Sequence, residues 1–473
     1  MRKLIITLTA IHFFHYSNGQ HTRTLTLTQC IDTAIQNNLT ILQAEVQSQV
    51  NTIQYQQSKL NRLPNLNASV GHGFNQGRSI DPFTNNYVDS RLGYGSYGLN
   101  AGMILFNGGV LSNSIAREKY NVQAAEMDWQ QAKNNLIIEV ILAYLTILSN
   151  QDILTQTSNQ ADLSLQQVYR LEKMNKEGSI PPSQLSDLQG QYAGDQLAVI
   201  NAKNALEVSR LNLCRLMNIS YDAGLSVAAI NTDNAKDIYA ESADDIFHTA
   251  LKNYASVRAA DFKVLSAQKD ISVEKSRRWP TLRLGANLNT NYSSAASTST
   301  LLTSTPMPSS EYVSISGNQY PVIKQSNTYS SSNIPYNRQL SGNLFSSIGL
   351  TLSIPVFNNL EQHNRIKLAK LTLRNAESSA KTTRTQLEQL IDEAYINFQT
   401  ATEKRRTTDN QVQAFQISFT AAEIRFREGV GNSIDYLTAK NNLDRANINL
   451  IIARYDMILR TKILDFYQGK LLL

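Results

Sequence analysis

Cysteine is nearly absent, with two in 473 residues, which excludes a small disulfide-stapled scaffold. Proline (10) and glycine (21) are sparse for this length, so few positions can interrupt an element and long helices or strands are expected. Charged residues make up only 17%, below the ~25% of ordinary soluble domains, which excludes a highly charged disordered chain. Forty-four Lys and Arg against 38 Asp and Glu leave a formal charge of +6. That excess is thin and has no basic cluster, so nucleic acid is not an expected partner. There is no HExxH, CxxC pair, GxSxG or Walker loop, and no two of His21, His72, His248 and His363 have metal-ligand spacing. No catalytic, cofactor or metal residues are therefore assigned, and the chain is expected not to be an enzyme. Asn, Gln, Ser and Thr fill the space beside 42% apolar residues.

The N-terminus reads as a secretory signal peptide over residues 1–19. Met1-Arg2-Lys3 is positive, Leu4 to Tyr16 is mostly apolar, and Ser17-Asn18-Gly19 offers small residues before a cut at Gln20. The apolar stretch is too short for a bilayer-spanning anchor. No Cys marks the cut for lipid attachment, and no later stretch reaches ~18 consecutive apolar residues. An exported chain without a membrane helix is either soluble or a β-barrel.

The chain is written twice. Ile31-Asp32-Thr33-Ala34 matches Phe247-His248-Thr249-Ala250, and Arg62-Leu63-Pro64 matches Arg278-Trp279-Pro280, both at one offset of 216. Further on, Phe106-Asn107 matches Phe357-Asn358, Ala143-Tyr144 matches Ala394-Tyr395, and Glu177-Gly178 matches Glu428-Gly429, all at an offset of 251. The 35-residue difference (251 less 216) is an insertion between the strands of the second copy. A repeat of about 200 residues is too long for a small-repeat solenoid and points to a pseudo-symmetric architecture.

Each copy has the same order of elements. After the signal, residues 20–63 hold a first helix, read as one piece over 30–62 and ended by Pro64. Residues 64–107 hold a β-hairpin. Leu66, Ala68, Val70 and Phe74 alternate with Asn65, Asn67, Ser69 and Gly71, and Tyr97, Leu99, Ala101 and Met103 alternate with Gly98, Asn100 and Gly102. Residues 108–217 hold a long helix and a return helix, and 218–244 are a linker. The second copy runs as a helix over 245–279, strands with a long loop over 280–357, and long and return helices over 358–473. Its strands alternate likewise, with Leu282, Leu284, Ala286 and Leu288, then Ile348, Leu350 and Leu352. The second face of every strand is small and polar rather than charged, which suits a membrane barrel with lipid outside and water inside. The alternative is a sheet packed on a soluble core. Four strands cannot close a barrel, because membrane barrels start at about eight, so several chains must contribute. Two copies would give eight strands and three would give twelve, and a wide lumen favours three. The loop from about Ser293 to Asn343 is rich in Ser, Thr, Tyr and Asn and is expected to be partly mobile.

The long helices have heptad spacing. Val412, Phe415, Phe419, Ala422 and Phe426 advance by 3, 4, 3 and 4, and Ile137, Ile141, Tyr144 and Leu148 by 4, 3 and 4, so they should pack as coiled coils. Gly178 and Gly429 suit left-handed C-terminal caps, and Ser183 and Ser433 suit N-caps of the return helices. Trp279, Tyr292 and Tyr97, with Tyr94 and Phe357, lie near strand ends and are candidates for an interfacial aromatic belt against outer membrane lipid. Cys30 and Cys214 are expected to be buried free thiols, although export permits a disulfide.

In this order of elements the chain resembles the TolC family of outer membrane efflux proteins. The resemblance is carried by the duplicated helix–strand–strand–helix–helix unit, Leu27-Thr28-Gln29-Cys30-Ile31-Asp32-Thr33-Ala34, Pro64 and Pro280, Ile354-Pro355-Val356-Phe357-Asn358, and the turns at Gly178 and Gly429. It implies a mostly α protein with membrane β, a homotrimer whose 12-stranded β-barrel is continued by a periplasmic α-helical barrel. It also implies a passive channel of a tripartite efflux or type I secretion system, opened by a periplasmic adaptor protein and an inner membrane pump of RND or ABC type. The helix ends at Gly178, Gly429, Ser183 and Ser433 would form the adaptor-docking tip. Asp435 falls where the family has a carboxylate ring, and Thr438 replaces a second carboxylate. Asp187 falls where the family ties neighbouring coils together. The usual tyrosine partner is replaced by Phe426, so that link is either absent or rebuilt from Arg425 or Arg427. The competing readings are a secreted coiled-coil structural or adhesin protein without a pore, and an exported enzyme on a helical scaffold. The first does not account for four alternating stripes, and the second has no catalytic constellation.

Overall fold

The computed structural model describes residues 24–80, 85–89, 91–230 and 238–470. The expected signal peptide lies outside the described residues. The first copy runs β1 (Thr24–Leu25), α1 (Leu27–Asn37), α2 (Leu39–Leu60), β2 (Asn65–Asn75), β3 (Arg78–Ile80), β4 (Tyr87–Asp89), β5 (Leu92–Phe106), α3 (Val110–Lys176) and α4 (Pro182–Leu216). The second runs β6 (Ser226–Val227), α5 (Ala243–Asn253), α6 (Ala255–Ser276), β7 (Thr281–Ser293), β8 (Ser297–Ile315), β9 (Asn318–Asn333), α7 (Tyr336–Gly342), β10 (Phe345–Ser353), α8 (Glu361–Arg427) and α9 (Ser433–Tyr467). The chain divides into two compact units: a helical unit from Met1–Ile53, Lys119–Ser266 and Leu373–Leu473, and a sheet unit from Gln54–Glu118 and Ala267–Thr372.

The helical unit buries three apolar cores, and two of them repeat the duplication. Around α1, α3 and α4 lie Leu136, Val140 and Ile147; around α5, α8 and α9 lie their counterparts Leu387, Ile391 and Phe398, each 251 positions later. The third core joins the far ends of both helix pairs through Val168, Leu171, Leu188, Phe419, Phe426 and Tyr436. The heptad residues thus point inward, because a 3,4 spacing keeps one stripe on one helix face. One stretch of α3 is also long and apolar enough to cross a membrane. It does so by average composition, and its Val140, Ile141, Leu145 and Leu148 belong to the first core. In that core the Tyr144 hydroxyl donates to the Leu25 carbonyl (3.2 Å) and the Ala228 carbonyl (2.7 Å), fixing the small parallel β1–β6 ladder.

The first helix of each copy is broken rather than continuous. Asn38 (ψ 125°) separates α1 from α2, and Tyr254 (ψ 125°) separates α5 from α6. At Asn38 the side-chain oxygen accepts from the Thr40 and Ile41 amides while its amide donates to Leu216, so local and tertiary bonds replace helix bonds. At Tyr254 the replacement comes from α3: Gln131 accepts from the Ser256 amide and donates to the Tyr254 hydroxyl.

The sheet unit contains one four-stranded antiparallel sheet of order β10-β7-β5-β2. Its register obeys the duplication. Leu66 faces Ala101 and Ala68 faces Leu99 in the first hairpin, and at the same offsets Leu282 faces Leu352 and Leu284 faces Leu350 in the second. Paired residues share a face, so one face collects Leu66, Ala68, Val70, Leu99, Leu284, Leu288, Ile348 and Leu350. The other collects Asn67, Ser69, Gly98, Asn100, Asn287, Asn289, Gly349 and Thr351. The apolar face is bare: Val70 is 76% exposed and Ile348 81%. The hand-over from β5 to α3 passes through Gly108 at φ +65°, where an added Cβ would strike Trp279 and lie 2.5 Å from the Ser276 carbonyl, so only glycine fits.

The long loop of the second copy is a hairpin. β8 and β9 pair from Ser297–Asn333 to Ile315–Asn318, turning at Ser316 (φ +54°) and Gly317 (φ +85°). Two successive positive φ values make the two-residue turn that matches strand twist. Its root is held by Gln339, whose side chain accepts from the Ser293 amide (2.9 Å) and donates to the Ser293 (3.0 Å) and Ile334 (2.9 Å) carbonyls.

Candidate functional site

The sheet offers a wet face and a greasy face, and neither has a dry core behind it. On the polar face the amides of Asn289 and Asn291 and the hydroxyls of Ser69 and Ser96 line a concavity of about 330 Å³. A second, of about 780 Å³, opens near Asn65, Thr351 and Arg283. On the apolar face Tyr97 and Tyr292 gather at one end of the strands. The Tyr97 hydroxyl bonds that of Tyr336 (2.6 Å), and the Tyr292 ring meets Tyr336 at 4.8 Å. Trp279 stands at the other end of β7 and is 62% exposed. Tyr94 lies instead on the polar face, over Gly73, because its register position has the opposite parity to Tyr97.

In the helical unit, the ends of α3 and α8 turn through Gly178 (φ +70°) and Gly429 (φ +75°). The Ser179 amide donates to Met174 and the Val430 amide to Arg425, the six-to-one bond of a left-handed cap. The return helices are capped differently from the expected serines. Pro181 precedes α4 with no side-chain cap, and Asn432 caps α9 by accepting from the Asp435 amide at 2.7 Å. Ser183 and Ser433 sit inside the first turns. Ser433, freed from capping, donates to Asp187 at 3.1 Å. Within the chain Arg425 donates to its own helix at Ala421, and Arg427 pairs with Glu428. Phe426 stacks on Tyr436 at 4.8 Å, and burial pushes the Tyr436 hydroxyl above its ordinary pKa. Asp435 is exposed.

One cluster has no signature in the sequence. Lys440 of α9 is 1% exposed and reaches Asp195 of α4 (2.9 Å) and Asp444 (2.7 Å). Ser164 of α3 also donates to Asp195. Burial raises the Asp444 pKa, opposed by Lys440. The pair Lys440–Asp444 has helical i,i+4 spacing, but Asp195 lies 245 positions away, so only the fold reveals the cluster. Among the described residues no group of His, Cys, Asp or Glu could hold a metal ion.

The chain is thus a duplicated helix–hairpin–helix–helix unit with an uncored, two-faced sheet. The profile of the Outer membrane efflux protein family matches residues 30–218 and 246–469, and the chain belongs to that family. Outer membrane protein TolC of Escherichia coli (strain K12) is 21% identical over 334 residues, covering 71% of this chain. The match spans 61% of that relative's length. Among solved structures, the outer membrane protein VceC of Vibrio cholerae superposes with a TM-score of 0.73 at 15% identity, over 94% of this chain and 96% of that one. The CmeC outer membrane channel of Campylobacter jejuni superposes at 0.67 and 16%, over 94% and 85%. These likenesses show the fold.

Proposed function

We propose that three copies of the chain close a 12-stranded barrel and act as a passive conduit of a tripartite efflux or type I secretion system. A periplasmic adaptor protein and an inner membrane pump of RND or ABC type would open it. The observation that carries this reading is the sheet's unfinished symmetry. Inside the chain, the second strand of copy one (β5) pairs with the first strand of copy two (β7). The strands left with free edges are the first of copy one (β2) and the second of copy two (β10). The same pairing, repeated between chains, joins β10 to the neighbour's β2 and leaves no edge in lipid. The bare apolar stripe then meets lipid and the Asn/Ser/Gly face meets water.

The helix ends at Gly178 and Gly429 would receive the adaptor. Asp435, exposed in the first turn of α9, would place three like charges around the axis, a cation-attracting constriction. The Ser433–Asp187 bond would hold the two return helices together at rest. The passage needs no chemistry from the chain, since the pump supplies the work. The test is conductance of the purified full chain in planar bilayers. Stable conducting steps are expected, with cation selectivity reduced in Asp435→Ala. Protein that never conducts, even with the resting bond removed in Ser433→Ala, contradicts the conduit, and unaltered selectivity in Asp435→Ala removes Asp435 from the gate.

A further inference from the structure

We propose that Arg283 makes an anion-attracting station on the water-facing side of the sheet, suited to carboxylates, sulfonates and small inorganic anions. The proposal rests on the conduit reading above. Across β2, β5, β7 and β10, Arg283 is the single Lys, Arg, Asp or Glu. It stands on the polar face, opposite Thr351 on one side and Ile104 on the other. The register slips between Ile104 and Phe106, directly across from Arg283, and such bulges re-aim side chains beside functional positions.

The concavity that Arg283 enters holds about 780 Å³ and is lined also by Gln57, Asn61, Asn65 and Thr351, with no acidic residue in its lining. The amide and hydroxyl groups can donate to an anion, and the planar guanidinium presents a fork that matches a carboxylate or sulfonate. No neighbouring carboxylate on these strands cancels its field, so its charge reaches into the water beside it. In a closed trimer three such groups would face one passage. They would enrich anions there and disfavour cations, a filter of opposite sign to the carboxylates at Asp435.

The experiment measures reversal potentials of the full chain in planar bilayers under a KCl gradient near 0.1 M, for the native protein, Arg283→Gln and Arg283→Lys. The chloride-to-potassium permeability ratio is expected to fall about two- to eightfold in Arg283→Gln, the range for three wall charges acting through partly screened water. Arg283→Lys should keep the native ratio. In about 1 M salt, where the Debye length shrinks to ~3 Å, the three proteins should converge. Benzenesulfonate, the anionic probe, should permeate less well through Arg283→Gln. A conducting protein whose ratio and benzenesulfonate permeability ignore the Gln substitution overturns the anion station and leaves the conduit standing. Protein that does not conduct even when Ser433→Ala removes the resting bond overturns both.

Discussion

The helical unit and the sheet unit solve burial in opposite ways. The helical unit hides Val140, Leu213, Ile246 and Ile391 completely and keeps even a lysine dry by pairing it twice. The sheet unit leaves Leu66 65% and Leu350 64% exposed, on a stripe that runs unbroken across four strands. The first arrangement is that of a chain folded against itself in water. The second is unstable in water and is stabilised only when something apolar covers it. Under the conduit reading the contrast places the membrane at the sheet, whose strands hold no long hydrophobic run because a period of two hides an apolar face from a simple hydropathy count.

Substitutions sharpen the comparison, and the largest effect falls in the helical unit. Lys440→Met removes the cation between Asp195 and Asp444 and strands one buried and one half-buried carboxylate, at a cost of about 3–5 kcal/mol. Urea unfolding followed by far-UV circular dichroism should show the loss, and Lys440→Met/Asp195→Asn/Asp444→Asn should recover much of it. Next come two arginines placed side by side on β10. Leu350→Arg faces lipid and should cost about 2–4 kcal/mol of stability in bilayers, the penalty near the midplane. Gly349→Arg faces water opposite Gly285, with open space at its Cβ, and should stay within about ±0.5 kcal/mol. Equal costs at the two positions would mean that the sheet does not separate lipid from water.

The smallest effect is a pH dependence within the helical unit. Burial, with the nearby Cys214, pushes the Cys30 thiol from its ordinary 9.0 up to about 11. A raised folded pKa contributes stability that is complete below pH 9 and is lost as the pH climbs through about 11. Cys30 alone should then contribute a fall of about 1–2 kcal/mol between those pH values, read as the difference between the native protein and Cys30→Ala. Both cysteines are free and buried, so maleimide labelling at neutral pH should require unfolding.

Much of this was legible before folding because it is local and periodic. Prolines 64 and 280 stop helices by sterics, Gly178 and Gly429 cap them, and strand parity sorted the two faces. The duplication survived in the register itself. What escaped detection depends on partners far along the chain. Gln131 breaks the helix at Tyr254 from 123 residues away, and Asp195 meets Lys440 only in the folded bundle. The β8–β9 hairpin was hidden because its strands are Ser- and Thr-rich on both faces and so show no apolar alternation. Its Ser316-Gly317 turn was the available signal. Asn432 took the cap expected of Ser433 by sitting one residue earlier, which released that hydroxyl for Asp187.

The most direct measurement targets the edge that the chain leaves open. Gly102 faces Gly285 in the internal β5–β7 seam. Carrying that pair through the repeat offsets places Ser353 of one copy opposite Ser69 of a neighbouring copy. Full-length protein carrying Ser69→Cys and Ser353→Cys, oxidised in outer membranes and run on denaturing gels without reductant, should collapse into a covalent trimer, with each single variant remaining monomeric. A double variant that stays monomeric, or stops at dimers, would contradict a barrel closed by three chains.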